Sequence, residues 1–210
     1  MNRRCQLAIL LGLVLIVLAA APAFPQEGRG LRVQGYIGAS SSVEKNFELG
    51  FWSSIGFSIP VQSAVFLSFE FGNWNSAVTG RSETLLDGTL YVNPFLISVQ
   101  YHMMPDKVFS PYLFLGGGYV FSRFNLGDII TIPEITLNQK IDSGPGGKLG
   151  AGIEIDLGKR LSIVGEVSYF FSRVKGETTI QDMNFGVSVE EFTFGLSALI
   201  VHVGLKYTIK

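Results

Sequence analysis

Residues 146–171, GGKLGAGIEIDLGKRLSIVGEVSYFF, contain the pattern that decides the fold. On both sides of the short turn at 158–160, apolar residues alternate with polar residues or glycine. This is the period of a β-strand with two unlike faces. One face carries Lys148, Glu154 and Glu166, and the other face is apolar. The stretch therefore predicts an antiparallel hairpin with one apolar and one charged face.

The same alternation recurs along the chain and predicts eight strands. They lie at about 31–40, 47–59, 64–74, 89–103, 111–124, 146–157, 161–171 and 192–209. Four longer connections alternate with three short turns, and both termini fall on the side of the short turns. Such an arrangement is typical of an up-and-down transmembrane barrel. The alternation is disturbed at Pro94, where we expect a bulge or a position near the rim, and at 194–198, where we expect a bulge.

The N-terminal residues have the pattern of a secretory signal. Two arginines precede an apolar run from Leu7 to Ala21, and a small-x-small site follows, which predicts a cleaved signal peptide over 1–23. An uncleaved membrane helix is the alternative, but the run is short for a span. The only cysteine, Cys5, would be removed with the signal, so we expect neither disulfides nor cysteine-ligated metal. Residues 24–30 are predicted to be a short leader, and 31–210 the barrel.

Charged side chains fall on the less apolar face of the predicted strands. In a soluble barrel with an apolar interior this face would be buried at high cost, whereas in the lumen of a membrane barrel the charges can pair or meet water. We therefore predict an all-β, eight-stranded antiparallel up-and-down transmembrane β-barrel. The predicted lumen charge network consists of Arg32, Glu48, Glu70, Lys148, Glu154, Asp156, Glu166 and Lys206.

Two segments resemble the outer-membrane protein β-barrel domain family, the small eight-stranded OmpA/OmpX-like barrels of Gram-negative bacteria. They are PYLFLGGGYVFS at 111–122 and the hairpin at 146–171. The resemblance implies a location in the cell outer membrane and contact with outer-membrane lipid and lipopolysaccharide. We also expect a monomer. Family members differ in function, so the resemblance implies location more than task.

The last strand resembles the C-terminal signal that such barrels present to the outer-membrane assembly machinery. The residues that carry this likeness are His202, Gly204, Tyr207 and Ile209. The chain departs from the pattern because it ends in Lys210, where an aromatic residue is usual. The resemblance therefore implies the assembly machinery as a partner, with the efficiency of assembly in doubt.

Two predicted strands end in Phe-Ser-Arg, at 121–123 and 171–173. Phenylalanine and arginine fall on the outward face in both copies. An aromatic residue followed by arginine suits the boundary between hydrocarbon and lipopolysaccharide phosphates. We predict that Arg123 and Arg173 contact lipopolysaccharide, with plain rim residues as the alternative.

No catalytic or cofactor site is predicted. The glycines at 116–118 and 144–147 lack the context of a phosphate loop. A lipid A-modifying enzyme is a minor alternative, but His102 falls at the periplasmic end and His202 has no serine two residues away. No spacing suggests a metal site. The chain has 16 basic and 17 acidic residues, so nucleic acid is not expected as a partner.

Two functions remain open. The first is a structural barrel with a lumen closed by ion pairs, which displays its extracellular loops for adhesion or recognition. The second is a narrow pore for small solutes through the same lumen. Eight strands leave an interior just wide enough for side chains to fill, which favours the closed barrel.

Overall fold

The computed structural model describes residues 30–43, 47–78, 87–126, 135–182 and 186–209. The predicted signal peptide, most of the predicted leader and Lys210 lie outside these residues. Within them the chain forms nine β-strands. The strands are β1 (Leu31–Ser42), β2 (Gly50–Pro60), β3 (Val65–Val78), β4 (Gly88–His102), β5 (Phe109–Leu126), β6 (Ile135–Ile141), β7 (Gly144–Asp156), β8 (Leu161–Asp182) and β9 (Gly186–Ile209).

The nine strands form one closed antiparallel ring with eight positions. β6 and β7 share a position, because both pair with β8: β6 along 176–182 and β7 along 162–172. β9 pairs with β8 on one side and with β1 on the other, which closes the ring. The prediction of an all-β, eight-stranded antiparallel barrel is confirmed.

The strands are staggered around the ring. A path through paired residues that leaves β1 at Arg32 returns to β1 at Ser42, ten residues further along. The path passes through Ser58, Ser68, Ser98, Gly116, Lys148, Phe170 and Ala198. Stagger and strand number together set the width of a barrel, and at eight strands side chains can fill the interior.

The lower end of the barrel is defined here as the end where Leu31 pairs with Ile209. At the upper end, three strands rise well above the others. Ser172 is the last residue of β8 that pairs with β7. From there β8 continues to Asp182, which is about 30 Å along the strand. The upper arm consists of β6 and the parts of β8 and β9 at 176–182 and 186–192.

The upper arm corrects two predicted loops. The segment 174–191, predicted as a connection, is mostly strand, and the predicted loop before 146 contains β6. Both predicted bulges are also wrong. β8 and β9 pair in one register from 161 to 207, and β4 keeps its register with β3 on either side of Pro94, which lies well inside β4.

The outer surface of the ring is apolar over most of its height. Side chains such as Ile55 and Ile153 are 68% and 41% exposed, and exposed apolar side chains of this kind lie on β1 to β5 and on β7 to β9. A continuous exposed apolar band of this kind suits hydrocarbon rather than water. The described part of the chain contains no helix long and apolar enough to cross a membrane.

Candidate functional site

The lumen is filled by large rings that lie beside glycines. A Cβ atom at Gly152 would lie 2.5 Å from Cζ of Tyr112, and one at Gly150 would lie 2.8 Å from Cζ of Phe114. Trp52 packs over Gly72 in the same way. Because inward glycines face inward rings, an interior of eight strands can hold several aromatic side chains.

The first group of charges surrounds Glu154 in the lower half of the lumen. Its Oε2 accepts hydrogen bonds from Nη1 of Arg32 and Nζ of Lys206, each at 3.2 Å. His102 Nδ1 lies 3.9 Å from the same oxygen and 3.1 Å from Oγ of Ser110. One carboxylate therefore joins residues from four strands.

The second group surrounds Lys148. Its Nζ donates to both carboxylate oxygens of Glu70, at 3.0 and 2.8 Å, and lies 3.7 Å from Oε2 of Glu166. Glu166 also contacts Nε2 of His202 at 2.6 Å and accepts a hydrogen bond from the Tyr112 hydroxyl. Every carboxylate of this group thus has a partner.

Each of the three lumen cations also lies over an aromatic ring. The separations from cation to ring centroid are 4.2 Å for Arg32 over Phe66, 4.6 Å for Lys206 over Tyr112 and 5.2 Å for Lys148 over Phe114. Such contacts stabilise a cation more when it is removed from water. The rings therefore add to the carboxylates in holding the cations inside the barrel.

Six of the eight charged residues predicted for the lumen meet there. We call them the lumen charge cluster: Arg32, Glu70, Lys148, Glu154, Glu166 and Lys206. Three cations face three carboxylates, and their side chains are at most 14% exposed. The lysine, arginine and glutamate side chains of the cluster thus contribute equal numbers of positive and negative charges.

Glu48 and Asp156 do not join the cluster, so their predicted placement in the lumen is wrong. Both side chains are exposed. Glu48 precedes Gly50, the first residue of β2, and Asp156 is the last residue of β7. Asp156 accepts a hydrogen bond from Ser162 across the lower turn, at 2.7 Å. Both residues lie at or just beyond a strand end, where alternation no longer places a side chain inside the lumen.

The upper half of the lumen is mainly apolar, with a few buried serines such as Ser40 and Ser76, and this was not predicted from the sequence. Here the inward apolar residues form one packed cluster, the upper apolar cluster, continuous with Phe192 and Phe194 at the base of the upper arm. Its members are Trp52, Trp74, Val78, Leu90, Val92, Val120, Phe124, Ile141, Phe170, Val174, Leu196, Ala198 and Ile200. The sequence feature that indicated this was the interrupted alternation of polar and apolar residues at 194–198. The inward residues of β9 become apolar there, and the register does not change.

The other predicted residues lie outside the lumen or contribute only to its wall. Arg123 and Arg173 are exposed on the outer face. In the last strand, Tyr207 and Ile209 are each 46% exposed. Gly204 faces inward, where a Cβ atom would lie 2.4 Å from the ring of Tyr36.

Neither histidine faces the outer surface. His102 and His202 are each 2% exposed and point into the lumen. Across the described ranges, no group of three or more His, Cys, Asp or Glu side chains is placed to hold a metal ion. The chemistry of the site is thus that of paired charges below packed apolar side chains.

Comparison with protein families identifies one match. The model of the outer membrane protein beta-barrel domain matches residues 11–197, which is most of the chain. No curated protein matches the chain.

Several solved structures share the fold. The outer membrane protein OprG from Pseudomonas aeruginosa aligns with a TM-score of 0.63 and 16% identity, over 87% of this chain and 97% of OprG. Neisserial surface protein A gives 0.53 and 14%, over 87% and 98%. A major outer membrane protein from Thermus thermophilus gives 0.52 and 15%, over 87% and 100%. At these identities the likeness shows the fold alone.

Proposed function

The chain belongs to the outer membrane protein beta-barrel domain family, and from that membership we propose that it is an integral outer-membrane barrel of the structural, surface-display type. Its lumen is closed, and its extracellular strands and loops serve adhesion or recognition. The lower end, where β1 begins, β9 ends and the short turns lie, faces the periplasm, as in other barrels of this kind.

The observation that carries the proposal is that two different sets of side chains fill the two halves of the lumen. The lumen charge cluster occupies its lower half and the upper apolar cluster its upper half. An ion that entered from outside would first meet packed rings such as Trp52 and Phe170, both 0% exposed. Below them it would meet cations and carboxylates that already satisfy one another. Both halves therefore oppose conduction.

The upper arm supports the display role. Its outer face is exposed and mixes polar and apolar side chains, including Lys140, Val187, Val189 and Glu191. β8 continues for about 30 Å along its axis above Ser172, and Arg173, which we place at the membrane boundary, lies at the start of this extension. The upper arm therefore lies beyond the lipid surface. The arm thus offers a rigid surface to a partner outside the cell.

We test the closed lumen by electrical recording. The mature protein is refolded in detergent, its folded state is verified by altered migration of the unheated sample, and it is inserted into a planar bilayer. We expect no reproducible conductance steps. Steps that change when Glu70 is replaced by Gln would overturn the closed lumen and favour a narrow pore for small solutes.

Lipopolysaccharide contact at Arg123 and Arg173 belongs to the same proposal. Both arginines follow an outward aromatic pair, Tyr119 with Phe121 and Tyr169 with Phe171, whose ring centroids lie 5.2 and 6.3 Å apart. Aromatic pairs of this kind suit the membrane boundary, and arginine suits the phosphates above it. We expect the Arg123→Gln/Arg173→Gln variant to bind lipopolysaccharide vesicles more weakly than the wild-type protein, and unchanged binding would remove this part of the proposal.

The last strand and the two histidines bear on assembly of the barrel and on enzymatic activity. We propose that the last strand, with Tyr207 and Ile209 on its outer face, is recognised by the outer-membrane assembly machinery, and that the barrel works as a monomer. A lipid A-modifying activity is disfavoured, because His102 and His202 are buried in the lumen and cannot reach lipid.

A further inference from the structure

A groove of about 550 Å³ crosses the outer face of the barrel over β9, β1, β2 and β3. Its floor is formed by small residues, Gly35 and Ser53. Ile37 and Ile55 stand on its sides and are 59% and 68% exposed. A Cβ atom at Gly35 would meet only the Ser54 carbonyl oxygen, at 3.9 Å, so the space above this glycine is open.

The groove has a polar upper end. Asn73 lines it, and its Nδ2 donates to Oδ1 of Asn93 at 2.8 Å. The backbone ladder between β3 and β4 is interrupted at this pair and at the pair below it, Gly72 with Pro94. One amide–amide hydrogen bond leaves the oxygen of Asn73 and amide protons of Asn93 free to bind a further group.

The depth of this end follows from the register. Asn93 pairs with Phe121 of β5. On the outward face of β5, Phe121 lies between Tyr119 below it and Arg123 above it. These aromatic residues are typical of the boundary between hydrocarbon and head groups. The polar end of the groove therefore lies just inside the outer leaflet, and its apolar part extends toward the middle of the membrane.

We propose that this groove binds one acyl chain of an outer-leaflet lipid that carries an amide or hydroxyl group near its head, as the chains of lipid A do. The apolar groove takes the chain, and Asn73 and Asn93 form hydrogen bonds with its polar group. The amide oxygen of Asn73 and the amide protons of Asn93 that their mutual hydrogen bond leaves unpaired are costly to place against hydrocarbon, so a lipid that supplies a partner for them is favoured over one that does not. The inference rests on the outer-membrane location and not on the closed lumen.

A second groove provides a matched control. It measures about 480 Å³ and lies across β5, β7, β8 and β9. Its outward lining, including Leu113, Ala151 and Val203, is apolar or glycine. A Cβ atom at Gly165, on its floor, would meet nothing within 4 Å. This groove accepts a lipid chain but offers no side-chain hydrogen bond.

The experiment measures lipid retained by the refolded full-length mature protein, using native mass spectrometry from detergent micelles. The two probes are lipid A and a phosphatidylethanolamine whose chains lack hydroxyl and amide groups. We expect the wild-type protein to retain lipid A in preference to phosphatidylethanolamine. Asn73→Leu should weaken lipid A binding about tenfold, the effect of losing one hydrogen bond to the ligand. Gly35→Leu should abolish the preference, and Gly165→Leu should leave it unchanged.

Two results would overturn the proposal. Equal retention of both lipids by the wild-type protein would show that the polar end selects nothing. Equal behaviour of Gly35→Leu and Gly165→Leu would show binding through the Arg123 and Arg173 region alone, since all these variants keep both arginines. Folding of each variant is verified by altered migration of the unheated sample. Ser53→Leu fills the same groove from β2 and replaces Gly35→Leu if that variant does not fold.

Discussion

In the lower half of the lumen, Lys148 and Lys206 lie against carboxylates, whereas in the upper half Trp52 and Phe170 pack among aliphatic side chains. Both halves are closed, but they respond differently to substitution. A buried charge requires its partner, because removal of one member leaves the other uncompensated in a medium of low dielectric constant. An apolar side chain requires only that the volume be filled. The two halves therefore seal the same barrel by different physical means.

The largest effect is expected where one cation serves two carboxylates. Replacement of Lys148 by Met leaves Glu70 and Glu166 without their shared ammonium group. We expect this variant to lose about 3–5 kcal/mol of unfolding free energy. The measurement is urea unfolding of the refolded barrel in lipid vesicles, followed by tryptophan fluorescence.

Two controls sharpen this prediction. The Glu70→Gln/Lys148→Met double variant should be more stable than Lys148→Met alone, because one uncompensated charge is removed. Asp156→Asn, at an exposed position, should change the unfolding free energy by no more than about 0.5 kcal/mol. If Lys148→Met is as mild as Asp156→Asn, the lower half is not held by coupled charges.

An intermediate effect is expected at an inward glycine of the lower half. The added methyl group of Gly152→Ala would meet the Tyr112 ring at 2.5 Å and so disturb its hydrogen bond to Glu166. We expect a loss of about 1–3 kcal/mol in the same unfolding assay. The matched variant Gly165→Ala faces outward into open space, and its unfolding free energy should stay close to that of the wild type. Similar losses in the two variants would contradict the packing of rings over glycines.

The smallest effect is expected for a conservative change in the upper half. Ile200→Val removes one methylene from the upper apolar cluster and should cost about 0.5–1.5 kcal/mol. Ile200→Thr has the same shape as the valine variant but buries a hydroxyl, and should cost about 1–3 kcal/mol more. Equal stability of the valine and threonine variants would mean that the upper half is hydrated, which would weaken the contrast between the halves.

Strand alternation made the ring and the lower half of the lumen predictable. On β7 and β8 the charged residues Lys148, Glu154 and Glu166 share one face with serines and glycines, and large apolar residues occupy most of the other face. Only a membrane barrel with a polar lumen reconciles the two faces. The partners within the cluster were not predictable, because they come from strands distant in the chain. Glu70 and Lys148, for example, are 78 residues apart.

The upper half escaped prediction because both faces of its strands are apolar. Phe170 faces the lumen and Phe171 faces lipid, so the sequence there gives no alternation to interpret. The upper arm was not predicted because its strands are largely polar on both faces. Residues 175–181 are mostly polar and largely half-exposed or exposed, a composition that resembles a loop. The alternation of polar and apolar residues therefore predicts a strand clearly only where one face of the strand is apolar and the other faces a polar lumen.

The central claim is that the lumen is sealed, and the reactivity of a single thiol inside it tests this most directly. Ser54 is buried in the lumen wall, and the mature chain is expected to contain no other thiol because Cys5 precedes the predicted cleavage site. The Ser54→Cys variant is treated with a membrane-impermeant maleimide, with the exposed Ser188→Cys as control. We expect the folded Ser188→Cys protein to be labelled fully and the folded Ser54→Cys protein to be labelled only after unfolding. Labelling of folded Ser54→Cys at the rate of the control would show an open lumen and contradict the account.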